Sequence, residues 1–393
     1  MRDQKHLLMV AYTNYRTDPR VIRAAEAATE AGFEVDVLVL KRNNEPRLEQ
    51  IRGVNVVHLN QTRYRGGGVV AYVLAYVRFF LRSFFAAAAL RWRKKYAVVH
   101  AHNMPDFIVF CGLIPKLFGA KLILDIHDPM PNTFSSKYGK GDEGMIYRLL
   151  LWQEKLSAAF ADRVLTVHDP VKDHILVKQH RLAPEAVDVV ANFPDDGIFY
   201  PRQQTTSQDD GLRLCFHGTI LKRLGLQNVI DAISRAKLKD KMRVLIIGEG
   251  DFSDELKALI ARHDLHEIVH FDNRMYPIEE LPQRLAGCNL GLVPLEISSI
   301  TEFVLPLKLL EYLALGMPVV TVHNTAIDHY LTPEECFFYD PSDPQSLSDI
   351  LDRLAADPSL LAQYKQRALD ARSRFLWSGE KAKYISLLRQ LSR

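Results

Sequence analysis

Short runs of β-branched and other apolar residues recur through the first half of the chain, at Leu7 to Ala11, Val35 to Leu40, Val54 to Leu59, Ala97 to Ala101, Lys121 to Ile126, Arg163 to Val167 and Val187 to Ala191. Stretches with helical periodicity lie between them. That alternation predicts parallel strands joined by crossover helices. The first crossover is well punctuated: Asp18 can cap a helix, Pro19 suits its first position, and Gly32 can close a helix running from Arg20 to Ala31.

The pattern fades in the polar, turn-rich stretch GIFYPRQQTTSQDDG and then restarts, with strand-like runs at Arg213 to Phe216, Arg243 to Ile247, Ile268 to Phe271, Asn289 to Val293 and Val319 to Val322. The organisation expected is a first domain over 1–196, a linker over 197–211, a second domain over 212–373 and a terminal segment, 374–393, whose helix packs back on the first domain. A chain of 393 residues is long enough for two cores. Ligands bind at the carboxyl ends of parallel strands, so the chemistry is expected in the loops that follow them.

One segment departs from this scheme. Val69 to Leu90 is apolar except for Arg78, Arg82 and Ser83, and it runs into Arg91-Trp92-Arg93-Lys94-Lys95. Its length would cross a bilayer, but an arginine at mid-helix costs about 2.5–3.5 kcal/mol on insertion scales, which argues against spanning. Read as a helix, it carries Ala71, Ala75, Arg78, Arg82, Ala86 and Ala89 on one stripe and Tyr72, Tyr76, Phe79, Phe80, Phe84 and Phe85 around the rest. Two readings follow: a helix packed on the domain with its arginines at a cleft, or a helix lying on an anionic lipid surface.

Composition narrows the class. Hydrophobic residues are 48% and charged residues 25%, the balance of a soluble globular protein. Lys and Arg number 50 against 47 Asp and Glu, with no basic and aromatic interleaving, so a nucleic-acid partner is not expected. Cys111, Cys215, Cys288 and Cys336 are far apart and in apolar surroundings, which reads as core positions in a reducing compartment. The apolar run after Met1 is too short for a signal peptide, and a cytoplasmic location is expected.

Several places could carry chemistry. His217-Gly218-Thr219 follows a strand, with Arg223 and Gly225 before a helix, an arrangement in which backbone N–H groups and a cation can meet a phosphate. Gly248-Glu249-Gly250 follows the next strand. In Glu302 to Val322, Lys308 and Glu311 lie three apart on one helix face, with Leu307, Leu310, Leu313 and Ala314 directed elsewhere. That spacing fits a surface ion pair, or a carboxylate for a ribose diol beside an ammonium for a phosphate. In the first half, His127-Asp128 ends a strand. His100 and His102 have strand spacing on one face with no third metal ligand evident nearby, and no Asp-x-Asp occurs, so neither a metal nor any other cofactor is expected.

Several segments in order resemble the retaining glycosyltransferases of family 4: DPRVIRAAEAATEAGFEVDVLVL, VVHAHNMPDFIVF and LILDIHD, then FHGTILKRLGLQNVIDAI, VLIIGEGDFSDELKAL and PLKLLEYLALGMPVV. The likeness covers nearly the whole chain. It implies the GT-B fold, two Rossmann-like parallel-sheet α/β domains facing across a cleft, and transfer of a sugar from a nucleotide-sugar donor to a hydroxyl acceptor with retention and without a metal. It assigns Gly218, Thr219, Gly248, Glu249, Glu302 and Glu311 to the donor, His127, Arg223 and Lys308 to catalysis, and Asn14, Arg16, His102 and Asp128 to the acceptor side.

The chain departs from the family pattern at two points. The family's first glutamate falls on Phe303, with Glu302 one residue earlier. Its usual Arg and Lys fall on Thr219 and Leu224, so Arg223 and Lys308 stand as a relocated pair, as in the subset with Pro-x-Lys-x-x-Glu. A lipid-linked or polysaccharide-precursor glycan is the acceptor class expected, reached at an anionic membrane surface through Val69 to Lys95. The alternatives are a nucleotide-sugar epimerase-like isomerase and a GT-B protein that binds a nucleotide sugar without turnover.

Overall fold

The computed structural model describes residues 4–393 apart from 43, 65, 67, 139–143, 203–210 and 299–300. The chain divides into two compact units, Met1–Asn192 with Glu380–Arg393, and Phe193–Gly379. Most of the stretch expected as a linker lies outside the described residues. At its near end Phe199 is fully buried, as a large aromatic ring requires.

The first unit is built on eight strands: β1 (His6–Ala11), β2 (Glu34–Leu40), β3 (Leu48–Ile51), β4 (Val54–Leu59), β5 (Tyr96–His102), β6 (Lys121–Ile126), β7 (Arg163–Thr166) and β8 (Val187–Val189). Their order is β3-β4-β2-β1-β5-β6-β7-β8, parallel throughout except that β3 runs antiparallel to β4. Strand β1 is buried from Leu7 to Ala11, as a strand covered on both faces must be. Asp18 caps the first helix, Pro19–Glu30, accepting from Val21 N at 3.3 Å. Edge strand β3 escaped the sequence pattern because its sequence, LEQI, is half exposed and mostly polar.

The helix Val69–Arg91 packs on this unit by a narrow stripe that buries Phe79, Ser83 and Ala87. The opposite stripe, Val70, Val73, Leu74, Val77, Leu81 and Phe85, is exposed although apolar. The reading of a helix packed on the domain thus holds for one stripe of it. Arg82 does not stay on a free face but donates to the Asn60 carbonyl. One element of the basic cluster also needs correction: Lys94 is withdrawn into an ion pair with both Asp36 oxygens at 2.8 Å and Glu34 at 2.6 Å, so it is not a free surface charge. The helix Met145–Phe160 exposes a second apolar stripe, Met145, Ile146, Leu149, Trp152 and Leu156, and packs on the same segment, Asp106–Gly112, as the long helix.

The second unit carries six parallel strands: β9 (Leu212–His217), β10 (Met242–Ile247), β11 (Val269–Asp272), β12 (Leu290–Val293), β13 (Val319–Val322) and β14 (Phe337–Tyr339), in the order β11-β10-β9-β12-β13-β14. The order reverses between β9 and β12, which makes the loop after β9 the switch point of a doubly wound sheet. Strand β14, three residues at the sheet edge, was too short to show as a periodic run. The terminal helix Trp377–Leu391 joins the first unit from Glu380 onward. Glu380 accepts from Ala191 N at 2.7 Å, and the Tyr384 hydroxyl bonds His100 Nδ1 at 2.8 Å. The four cysteines are buried, and none is in a disulfide.

Candidate donor-binding site

At the carboxyl edge of the second sheet the loops after β9 and β10 pack backbone on backbone. Gly218 donates to Ile247 O at 2.9 Å and Ile220 to Glu249 O at 3.1 Å. Gly248 has φ +149°, and a Cβ there would lie 1.8 Å from Gly218 O, so no side chain fits. The pair that reads as a simple turn in the sequence is therefore a close approach. Gly218, at φ +114°, is the point where the chain leaves β9.

The helix Leu307–Ala314 is laid over this edge by Tyr312. Its hydroxyl accepts from His217 N at 3.1 Å and donates to Cys215 O at 3.3 Å, and its ring passes where a side chain at position 291 on β12 would stand, 2.3 Å from a Cβ on Gly291. A buried tyrosine with both ends of its hydroxyl satisfied is a rigid spacer. It fixes Lys308 and Glu311, one turn apart. The helix is buried nearly all round, with Leu309, Leu310 and Leu313 in the core, whereas Leu307 is 38% exposed.

Lys308 Nζ lies 3.5 Å from the centroid of the Phe216 ring, and a Cβ on Gly218 would be 3.6 Å from it. No carboxylate is within ion-pair distance of it among the described residues. Burial pushes its ammonium down to about 7, only partly opposed by the charge of Glu311. The i,i+3 ion pair that the spacing allowed is thus not formed. Glu311, 6% exposed, instead has Oε2 at 3.2 Å from His217 Nε2, a nitrogen that finds no aligned hydrogen bond. A glycine with no side chain, an ammonium and a carboxylate converge on one loop.

The remaining donor-side candidates stand around this core. Thr219, Arg223 and Glu249 are exposed, and the Arg223 carbonyl accepts from Glu296 N at 3.0 Å, which ties the β9 loop to the chain after β12. Glu302 is held elsewhere: its carboxylate accepts from Thr325 N at 3.2 Å and from the Thr325 hydroxyl, at the start of the helix Thr325–Tyr330.

In the first unit, His127 and Asp128 are organised by Asn103. Asn103 Oδ1 accepts from His127 N at 3.1 Å, and Nδ2 donates to Asp106 at 2.9 Å and to Asp128 O at 2.7 Å; the His127 Nε2 bonds the Asn103 carbonyl. Burial, with the charge of Arg20 behind it, lowers the His127 pKa. His102 is 1% exposed, its ring tilted 32° against that of His100 with centroids 4.0 Å apart, and Asp125 lies at 3.2 Å. The expectation that no third metal ligand lies near this pair is corrected, because Asp125 completes a cluster with ligand atoms within 4.8 Å of one another. Arg20, however, takes both Asp125 oxygens at 2.7 Å. Burial would raise the Asp125 carboxyl, but Arg20 and the two histidines hold it well below the usual range, and burial drives the His100 pKa down to about 3. Arg20 and Asp125 were inside the motifs DPRVIR and LILDIHD but carried no signal of pairing across 105 residues. Of the other acceptor-side candidates, Asn14 donates to Leu40 O at 3.4 Å, and Arg16 pairs with Glu49 at 2.9 Å rather than meeting the histidines.

These features define a class. The chain belongs to the GT-B glycosyltransferase superfamily, whose members move a sugar from a nucleotide-sugar donor to an acceptor. The family model for glycosyl transferases group 1 matches residues 201–370, and that for the glycosyl transferase 4-like domain matches 18–192. A 23% identical relative, the alpha-maltose-1-phosphate synthase of Mycolicibacterium smegmatis, aligns over 75% of this chain and 79% of its own. The curated relatives are matched over 22% to 90% of their lengths. The sucrose-phosphate synthase of Thermosynechococcus elongatus has the same fold, with TM-score 0.79 and 18% identity over 99% of both chains. So does Anabaena HepE, solved with UDP and glucose, at TM-score 0.70 and 16% identity over 97% of this chain and 99% of that one.

Proposed function

We propose that this protein transfers a sugar from a nucleotide-sugar donor to a hydroxyl of a lipid-linked or polysaccharide-precursor glycan, with retention and without a metal. The observation that carries the proposal is the convergence of Gly218, Lys308 and Glu311 at the switch point of the second sheet. The donor diphosphate lies on the backbone of the Gly218 loop with Lys308 as its counter-charge, and the ribose diol donates to Glu311. Charge grows on the leaving diphosphate as the glycosidic bond breaks, and Lys308 and Arg223 offset it in place of a metal. Thr219, Gly248 and Glu249 line the same loops. Glu302, held by Thr325, contributes through the backbone it positions. His127, locked by Asn103, is the first unit's candidate for contact with the transferred sugar, with Asn14, Arg16, His102 and Asp128 around the acceptor.

The same reading places the protein in the cytoplasm, resting on an anionic membrane. Support comes from two adjacent helices that expose Val73, Leu74, Leu81, Phe85, Leu149 and Trp152. Arg93 and Lys95 are exposed basic residues just past the end of the first helix, each worth about 1 kcal/mol near an anionic surface. A thermal-shift screen against UDP, GDP, ADP and dTDP sugars tests the donor, because a true donor stabilises the fold by mass action. Consumption of the donor without any acceptor would instead indicate an isomerase.

A further inference from the structure

Beside the amino-terminal half of the long helix, the first unit holds a cavity of about 940 Å³. Among the described residues its lining carries four cations, Lys41, Arg42, Arg63 and Arg78, and no carboxylate. Elsewhere in the unit two exposed guanidinium groups are paired, Arg16 with Glu49 and Arg52 with Glu26. Among the described residues none of the four side chains forms an ion pair, although the Arg42 backbone N–H donates to Glu45 at 2.6 Å. Four like charges around one cavity repel each other, and a multivalent anion is the ligand that relieves them.

The walls are fixed. Lys41 N donates to Gln61 O at 3.0 Å, Gln61 Nε2 donates to Ala75 O on the helix at 2.8 Å, and Tyr64 sits edge-on to Tyr72, centroids 5.0 Å apart. One wall is the helix itself, through Ala71, Leu74 and Ala75. Leu74 is 63% exposed and continues outside the cavity into the apolar stripe of Val70, Val73 and Val77. A cationic chamber whose rim becomes an apolar helix face suits a ligand with an anionic head and a hydrocarbon tail.

We infer that this cavity binds the diphosphate head of an amphiphilic, long-chain acceptor whose tail runs along the exposed face of the helix Val69–Arg91. The inference rests on the lipid-linked acceptor proposed above. It assigns acceptor capture to Lys41, Arg42, Arg63 and Arg78, none of which belongs to the donor site.

The test is co-sedimentation of the full chain with neutral phosphatidylcholine vesicles carrying a minor fraction of farnesyl diphosphate, compared with phosphatidylglycerol vesicles of the same surface charge. Wild type is expected to pellet with the diphosphate vesicles more than with the equally charged ones, and soluble inorganic diphosphate is expected to release it. Two lost charge-assisted contacts should weaken the binding of Arg63→Gln/Arg78→Gln at least about tenfold. Arg93→Gln/Lys95→Gln should keep the preference. Both doubly substituted proteins should retain the thermal midpoint and the donor titration of wild type. Equal binding to the two vesicle types, no competition by diphosphate, or an undiminished Arg63→Gln/Arg78→Gln protein would overturn the inference. Because no donor is present, failure of the donor site would leave these results unchanged.

Discussion

Glu311 and Lys308 sit one helical turn apart yet are kept from neutralising each other, Glu311 by its pairing with His217 and Lys308 by its seat on Phe216. Each is thereby left for a ligand. Glu311→Ala removes the acceptor of two charge-assisted hydrogen bonds, each worth about 1.5–3 kcal/mol, so calorimetry should show donor affinity falling by more than tenfold while the thermal midpoint changes little. Lys308 adds a pH dependence. With its pKa near 7 the ammonium is charged below neutrality and increasingly neutral above it, and a bound diphosphate holds the proton on. Donor binding should therefore take up a proton above neutral pH and weaken as pH rises. The sign is opposite for stability: the unfolded chain holds the Lys308 proton up to the ordinary lysine range, so the ligand-free protein gains stability as pH rises from about 7 towards 10.5. Lys308→Met should raise the thermal midpoint on the acid side of that window while reducing turnover. A midpoint that does not rise below neutral pH would mean that Lys308 is not strained by its burial.

Among the elements, the pair of glycine loops is the most constrained. Gly248→Ala places a methyl against the Gly218 carbonyl at a φ that side chains rarely adopt, which should cost about 1–3 kcal/mol and lower the melting temperature measurably. Strands and crossover helices were legible in the sequence because strands buried on both faces are continuous apolar runs, and because Asp18 and Pro19 punctuate the first helix. The edge strands β3 and β14 were not, since half-exposed or three-residue strands have no such run. The long helix was visible as a helix-length apolar run with interruptions. Its division into a packed stripe and a bare stripe was not, because both are largely apolar and the neighbouring elements, Asp106–Gly112 foremost, decide which is covered. Phe85→Ser/Trp152→Ser removes two of the largest exposed rings and should reduce pelleting with anionic vesicles without altering donor affinity.

For the whole molecule, the residues that meet the diphosphate and ribose lay in two motifs nearly ninety positions apart, Gly218 to Arg223 and Lys308 to Glu311, and the doubly wound sheet joins them through the β9 switch point. Local spacing could place Lys308 beside Glu311. It could not show Tyr312 anchoring the helix to the end of β9, nor Arg20 closing on Asp125. If diphosphate charge is met by Lys308 and Arg223 alone, activity should survive chelation by EDTA and the product should keep the donor's anomeric configuration by NMR; loss restored by magnesium would contradict the metal-free mechanism. The central claim, that a nucleotide-sugar diphosphate and ribose are read by Gly218, Lys308 and Glu311, is tested most directly by calorimetric titration of wild type and Glu311→Ala with the nucleotide sugar that stabilises wild type most. The account predicts binding by wild type, with proton uptake above neutral pH, and loss of more than tenfold in affinity for the variant. Equal affinity for the two proteins, with no proton taken up, would contradict it.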